Sequence, residues 1–466
     1  MAGVTRSSFG PDWLDRRLAE LLPGYPRVAV CVAFSGGLDS TALLAALAPL
    51  SKRLAELRAI HVDHGINPAS GRWSRHCRTL ARVLHVPLGV RRVSVSRARG
   101  TSLEAAARAA RYEALAAALK PGEFLLTAHH EDDQLETVLL QLMRGAGIAG
   151  LAAMPEIVPF ASGWLARPLL PLPRATLERW LRDRGIPWIE DDSNLDERID
   201  RNYLRLKIVP LLRARWPGAG AAVARSARHA AQAQRILDRL ARMDVERAAD
   251  GDALSVPRLR ALDLDRRRNA IRFWIARAGV PLPDARRLEE IARTLFTARA
   301  DANPVVEWGD VAVQRHANRL LLRPRTLTVH RSPIEWLVTR DAKLQLPGDL
   351  GTLELVEDAR GPVDLDALPP KLTIRWRSGG ERIRLDARGP RRALKDLLQS
   401  ARVPPAERAR VPLVCDGERV LIVGDLWIDA AIRAGPGSRR RGRLVWHRIS
   451  LRGKSHVTYP GRGASR

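Results

Sequence analysis

The 466 residues exceed what a single core usually organises and predict about three domains. A hydrophobic fraction of 45% excludes a largely disordered chain, and three cysteines (Cys31, Cys77 and Cys415) with no short pair among them exclude a CxxC zinc or redox site and argue against an oxidised secreted scaffold. The net charge of +27, with 71 arginines among 78 basic residues, predicts a polyanionic partner; a general compositional bias toward arginine is the plainer alternative.

Asp12, Asp15 and Glu20 precede any long apolar run, so no signal peptide is expected. No uninterrupted apolar stretch reaches about 18 residues, which predicts no membrane span and a cytoplasmic protein. Arg27 to Phe34 (RVAVCVAF) is a short, nearly continuous apolar run, the pattern of a strand buried on both faces of a parallel sheet. It ends in Ser-Gly-Gly, and helix formers follow from Thr41 to Leu50. A second strand is predicted over Leu57 to Val62, stopping at Asp63-His64-Gly65. An Ala-rich helix is predicted over Ser102 to Leu119, a strand over Phe124 to Ala128, and a helix from Glu131 to Met143 behind His129-His130. Strands alternating with helices of this length predict an α/β fold with a mostly parallel sheet and helices on both faces.

Each polar cluster follows a strand, so Ser35 to Ser40, Asp63-His64 and His129 to Asp133 converge on the carboxyl-end edge of the sheet, where open α/β folds bind ligands. A helix is predicted near Arg174 to Arg184, and a boundary at Pro217, Gly218 and Gly220. Three helices follow, over Ala221 to Ala249, Leu264 to Ala278 and Pro283 to Phe296, before a shift toward strand near Val305 to Leu322. Short strands (Leu372 to Trp376, Arg419 to Val423, Leu426 to Ile428) with a helix at Arg391 to Ser400 predict a small α+β unit. The expected division is therefore residues 1–216 as an α/β catalytic domain, 217–340 as a helical domain, 341–436 as the α+β domain, and 437–466 as a basic tail with few apolar anchors.

Ser35, Gly36, Gly37, Leu38, Asp39 and Ser40 sit where strand becomes helix. Two glycines permit a tight turn and let backbone N–H groups approach phosphate, and the helix start supplies favourable partial charge. The lysine of a GxxxxGK[ST] loop is missing. Asp39 would repel phosphate unless a cation intervened, which predicts Mg²⁺ held at Asp39. The plainer alternative is a turn and a helix cap.

This strand-loop-helix pattern resembles the PP-loop family of ATP pyrophosphatases and, within it, the bacterial tRNA(Ile)-lysidine synthetases. The matching elements are Ser35 to Ser40, His61 to Gly65, Arg108 with Arg111-Tyr112, His129 to Thr137, Arg144-Gly145, Arg167 to Leu170, Asp192-Ser193-Asn194 and Arg201-Asn202, with further likeness at Arg377 to Arg382, Lys395 to Leu398, Val403-Pro404 and Arg410 to Asp416. The resemblance implies ATP-dependent ligation of L-lysine to C2 of the wobble cytidine in the isoleucine tRNA with a CAU anticodon. An adenylated tRNA is the intermediate; AMP and pyrophosphate are released. It also implies a lysine-handling role for Asp133 and Glu136, whose three-residue spacing on a helix puts both carboxylates on one face, and it favours His129 in the active site; for the two carboxylates the plainer alternative is a capped helix with an acidic first turn.

Arg108 and Arg111, also three apart, can present a guanidinium to the transferring phosphoryl group; a solvated helix face is their alternative. Asp63 is expected to contact adenine or ribose. Selection of tRNA is expected from Arg198, Arg201, Arg205 and Lys207, from the middle helices, and from Arg377, Arg382, Arg391, Arg392 and Lys395, with Trp188 and Trp376 as stacking platforms or, more commonly, packed residues. A tRNA-thiolating relative, a small-molecule ligase on the same fold and a non-catalytic RNA-binding protein are the rival readings. The missing cysteine pair, the absence of a glutaminase segment and the intact Asp39, Asp133 and Glu136 weigh against them in turn. The sequence leaves the oligomeric state open, a homodimer included.

Overall fold

The computed structural model describes residues 9–448 except 66, 68, 96–102, 192–194, 300–301, 326–329, 331, 339–341, 349 and 402. The Asp192-Ser193-Asn194 element and residues 449–466 of the expected tail lie outside the described residues. The chain divides into two compact units, Met1–Ile236 and Leu237–Arg466.

In chain order the first unit comprises α1 (Pro11–Leu21), β1 (Ala29–Ala33), α2 (Leu38–Leu47), β2 (Glu56–Asp63), α3 (Ser70–Val83), β3 (Leu88–Arg92), α4 (Leu103–Ala118), β4 (Phe124–Leu126), α5 (Glu131–Met143), α6 (Ile148–Leu151), β5 (Ile157–Phe160), β6 (Gly163–Ala166), α7 (Arg174–Arg182), α8 (Asp200–Tyr203), α9 (Val209–Arg215) and the first part of α10 (Ala219–Ala248). The sheet order is β3-β2-β1-β4-β6-β5. All neighbours pair parallel except β5, which runs antiparallel to β6 at the edge.

Val30, Cys31 and Val32 of β1 are fully buried, as a central strand covered on both faces requires. Each such valine contributes about 1.5–3 kcal/mol through burial. Chain direction along the sheet reverses at β1: β2 lies to one side and β4 to the other. The carboxyl ends of β1 and β4 therefore open a crevice at the switch point, the usual ligand position in such folds. Helix α2 starts at Leu38, earlier than Thr41, because Thr41 N–H already donates to Gly37 O at 2.9 Å. The phosphate-loop residues Leu38 to Ser40 thus form the first helical turn.

In the second unit, β7 (Ala249–Asp250), β8 (Ala253–Ser255), α11 (Val256–Arg260), α12 (Leu264–Arg277), α13 (Ala285–Thr297), β9 (Val305–Trp308), β10 (Val311–His316) and β11 (Arg319–Pro324) build a sheet of order β7-β8-β11-β10-β9. Its core joins Leu254, Ile271, Trp274, Leu295, Val313 and Leu320. The remaining strands are β12 (Ile334–Leu337), β13 (Lys343–Gln345), β14 (Thr352–Glu357), β15 (Val363–Asp364), β16 (Lys371–Arg375), β17 (Arg382–Ile383), β18 (Arg392–Ala393), β19 (Leu413–Asp416), β20 (Arg419–Val423), β21 (Trp427–Ile428) and β22 (Arg441–His447), with helices α14 (Leu394–Ser400) and α15 (Pro405–Arg408). They form sheets β12-β16-β19-β20-β21 and β13-β14-β22-β15 and the ribbon β17-β18.

The expected tail is cut back here. Arg441–His447 is a strand paired with β14, and Leu444 and Trp446 are buried in the core. Those sparse apolar residues sit at alternate positions, which suffices for a strand with one covered face.

Candidate active site

The loop after β1 is tied by its own serines. Ser35 N–H donates to Ser40 Oγ (3.2 Å), the two hydroxyls lie 3.0 Å apart, and Gly37 N–H donates to Ser35 Oγ (3.3 Å). Gly36 has φ +84°, and a Cβ there would stand 2.7 Å from both Cys77 Sγ and Ile189 Cδ1. Both reasons require glycine. Residues after α7 close over the loop: Ile189 N–H donates to Gly36 O at 2.9 Å, and Ile189 bridges Gly37 in parallel fashion. Gly36→Ala is expected to cost about 1–3 kcal/mol of stability through backbone strain. ATP affinity should fall as the loop shifts. Denaturant unfolding and nucleotide titration measure the two effects.

His130 is the node of the crevice. It is 1% exposed and precedes α5 as its N-cap, with Nε2 3.5 Å from Asp39 Oδ1 and 3.4 Å from Asp133 Oδ2, and Nδ1 3.6 Å from Asp132 Oδ2. Its backbone N–H also donates to Asp133 Oδ2 at 3.0 Å, which closes the helix start. Burial opposes a charged imidazole, but Asp133 and Asp39 outweigh it and raise the His130 pKa. Asp132 stands at the other ring nitrogen, accepting from Arg174 N–H at 2.8 Å and pairing with Arg213.

Asp133 and Glu136 do share a face, as their spacing predicts, and both are held by arginines. Glu136, 1% exposed, accepts from Arg201 Nε (2.7 Å), Arg205 Nε (2.7 Å) and Arg205 Nη2 (3.0 Å); Asp133 Oδ1 accepts from Arg201 Nη2 at 3.0 Å. The expectation that Arg201 and Arg205 hold tRNA is corrected: their guanidiniums turn inward to α5. Arg205 itself lies in a π turn, Leu204–Ile208, a distortion that recurs at functional sites. Arg198 and Lys207 likewise meet acidic partners of their own, Asp196 and Glu197. Burial pushes Asp133 up, but His130, Arg201 and His129 overcome it and bring the carboxyl down to about 2.

His129 reaches Thr127 Oγ1 with Nδ1 at 2.9 Å. Burial, with help from Arg167, Arg201 and Arg108 and against Asp133, pushes its imidazole from 6.5 down to about 4, so it is neutral at physiological pH. Between these values the unfolded chain binds the extra proton, so this contribution to stability is complete above pH 6.5 and is lost as pH falls toward 4, up to about 3 kcal/mol. His130 acts with the opposite sign, since its pKa is raised, and Asp133 loses its contribution only below its ordinary 3.8. His129→Gln is therefore expected to flatten the fall in unfolding free energy between pH 6.5 and 4, measured against the wild type in urea.

Arg108 lies over the Tyr112 ring, its guanidinium carbon 5.1 Å from the centroid, and Arg111 Nε donates to His64 Nε2 at 3.2 Å. Burial and the Arg108 charge lower the Arg111 pKa. Asp63 turns back on its own loop: Oδ1 accepts from Gly65 N–H (3.0 Å) and Oδ2 from Ser74 Oγ (3.3 Å). Of the candidate aromatic platforms, Trp376 is buried with its ring edge to His330, and Trp188 packs on the first unit's core.

Three participants were not marked by sequence. The sequence presents His130 only as one of a pair and Arg174 only as a helix start, and it does not single out Ile189. The dyad His-His followed by three acidic residues at a strand end was the one signal for the first. The other two depend on how the chain returns over the loop.

Family models match residues 12–212 to a PP-loop domain, 254–321 to a TilS substrate binding domain and 372–446 to a TilS substrate C-terminal domain. Over 399 residues the chain is 41% identical to the tRNA(Ile)-lysidine synthase of Coxiella burnetii, covering 84% of this chain and 88% of that one. The enzymes of the same name from Methylococcus capsulatus (40% identity, 93% of this chain and 98% of that one) and Salmonella typhimurium (40%, 90% and 96%) are similar throughout.

Proposed function

The chain belongs to the tRNA(Ile)-lysidine synthase family, and we propose that it performs that family's reaction with the loop Ser35 to Ser40 on the ATP side and Asp133 with Glu136 on the lysine side. The protein is an ATP-dependent ligase that joins L-lysine to C2 of the wobble cytidine of the CAU-anticodon isoleucine tRNA. The cytidine O2 attacks the α-phosphorus and pyrophosphate leaves. The deprotonated lysine ε-amine then attacks C2, and AMP departs with the oxygen.

The observation that carries the assignment of sides is His130. One nitrogen of a buried imidazole, His130 Nε2, lies 3.5 Å from Asp39 Oδ1 of the loop and 3.4 Å from Asp133 Oδ2, so the metal-bearing and the lysine-side carboxylates meet at a single atom. Donors of the loop backbone hold phosphate oxygens. Neutral His129 offers a hydrogen bond without adding charge, and Arg108 supplies charge where the adenylate forms. Glu136 Oε1 takes one guanidinium donor, which leaves it acceptor capacity for an ammonium or its proton.

Asp39 is the loop carboxylate that would hold Mg²⁺: its Oδ1 accepts no hydrogen bond, with His130 Nε2 and Arg174 Nε standing off at 3.5 and 3.4 Å. Among the described residues no group of three or more His, Cys, Asp or Glu forms a metal cage, which suits a cation that takes one or two carboxylates and completes its shell with phosphate and water. Once bound, it would neutralise charge on the transferring phosphates. The basic surface of residues 217–340 and 341–436 is assigned to tRNA, in line with the matched substrate domains. No helix among the described residues is long and apolar enough to cross a membrane, and we place the reaction in the cytoplasm.

The test supplies unmodified tRNA(Ile) with a CAU anticodon, ATP, Mg²⁺ and labelled lysine. Label in the wobble cytidine is the expected result. Folded protein that binds this tRNA yet transfers no label overturns the function.

A further inference from the structure

The loop Ser35 to Ser40 contains no lysine or arginine, yet a nucleotide triphosphate brings several negative charges to it, and a divalent cation offsets only part of them. A second cation must come from elsewhere in the fold. Arg174, the first residue of α7, stands there: its Nε is 3.4 Å from Asp39 Oδ1, the oxygen that His130 also faces.

Arg174 is fixed rather than trailing in solvent. Its backbone N–H donates to Asp132 Oδ2 at 2.8 Å, and α7 is anchored by Leu177 and Leu181, both fully buried. The chain leaving α7 returns to the same loop through Ile189 and Gly36, so both ends of this segment are tied to the phosphate-binding turn. The side chain is 42% exposed and Asp39 33%, so the pair lies at the mouth of the loop where phosphate enters. Glu178 Oε2, 3.8 Å from Nη1, is the other carboxylate beside the guanidinium. On α4, Arg108 is the residue assigned above to the adenylate, and Arg111 Nε donates to His64 Nε2.

We propose that Arg174 is a phosphate-binding residue that takes the charge of the departing pyrophosphate, supplying from α7 the cation that the loop itself lacks. Asp39 aims the guanidinium across the mouth of the loop, and the guanidinium geometry suits two phosphate oxygens at once. This rests on the assignment of Ser35 to Ser40 to ATP phosphates.

The test is equilibrium binding of pyrophosphate with Mg²⁺ to the full-length protein, alongside steady-state kinetics. Arg174→Ala should weaken pyrophosphate binding and raise the KM for ATP by about 10- to 100-fold, the loss expected for one charged hydrogen bond, with the KM for lysine unchanged. Arg174→Lys should recover part of the loss. Arg182→Ala, which removes the other partner of Glu178 farther along α7, should behave as wild type. Unchanged pyrophosphate binding in Arg174→Ala overturns the inference while leaving the function intact. Equal losses for ATP and lysine with a lowered unfolding midpoint also overturn it, because they mark a structural role. Wild-type protein that binds no pyrophosphate removes the phosphate-loop assignment and this inference together.

Discussion

Asp39→Asn is expected to lower pyrophosphate release from ATP in the presence of tRNA by at least about 10²-fold, the usual loss when one group aimed at a transferring phosphoryl charge is removed. The fold should survive. Asp39 is one-third exposed and its Oδ1 holds no hydrogen bond, so the unfolding free energy should stay within about 1 kcal/mol of wild type. Rapid-quench measurement of pyrophosphate and a urea melt separate the two. A variant that releases pyrophosphate at the wild-type rate rules out Asp39 as the metal-bearing carboxylate. The amide also withdraws the negative charge facing His130 and Arg174, so a stability loss well beyond this range would mean that Asp39 acts mainly as a structural counter-ion.

Glu136→Gln should divide the reaction in two. Label transfer from lysine is expected to fall about 10²-fold or more, because the neutral amide neither holds an ammonium nor takes its proton. Adenylation depends on the loop and should fall much less, so adenylated tRNA should accumulate in a quenched time course. Equal loss in both steps would refute a lysine-side role.

Stability carries a second signature of the same change. Glu136 is almost fully buried and receives three guanidinium hydrogen bonds, and the amide turns an N–H₂ toward a donor. Breaking a buried pair costs about 3–5 kcal/mol. Arg201 and Arg205 keep 24% and 33% of their side-chain surface, so water can reach them and about 1–3 kcal/mol is the expected cost.

Two helices are legible only by their period. Helix α1 buries Leu14, Leu18 and Leu21 at helical spacing beside charged neighbours, and α3 (SGRWSRHCRTLARV) buries Ser74, Cys77, Leu80 and Ala81 within an arginine-rich run. Both have low mean hydropathy, so they stand out by their helical period and not as apolar runs. By contrast, α5 spans Glu131–Met143 with both limits where the sequence places them, because the acidic first turn after a strand marks its start.

What the sequence determined by itself is the local chemistry: a glycine turn between an apolar strand and a helix, carboxylates three residues apart, and the alternation of strands and helices that makes a parallel sheet. These are set by residues close in the chain, where backbone sterics and helical periodicity dictate geometry. Only the tertiary structure decided the partners. Arg201 and Arg205 reach Glu136 across 65 and 69 residues, and Arg174 reaches Asp39 across the fold. An arginine in sequence carries the same charge whether it faces tRNA or a buried carboxylate. The packing of α7, α8 and the π turn against the crevice settles which one it meets.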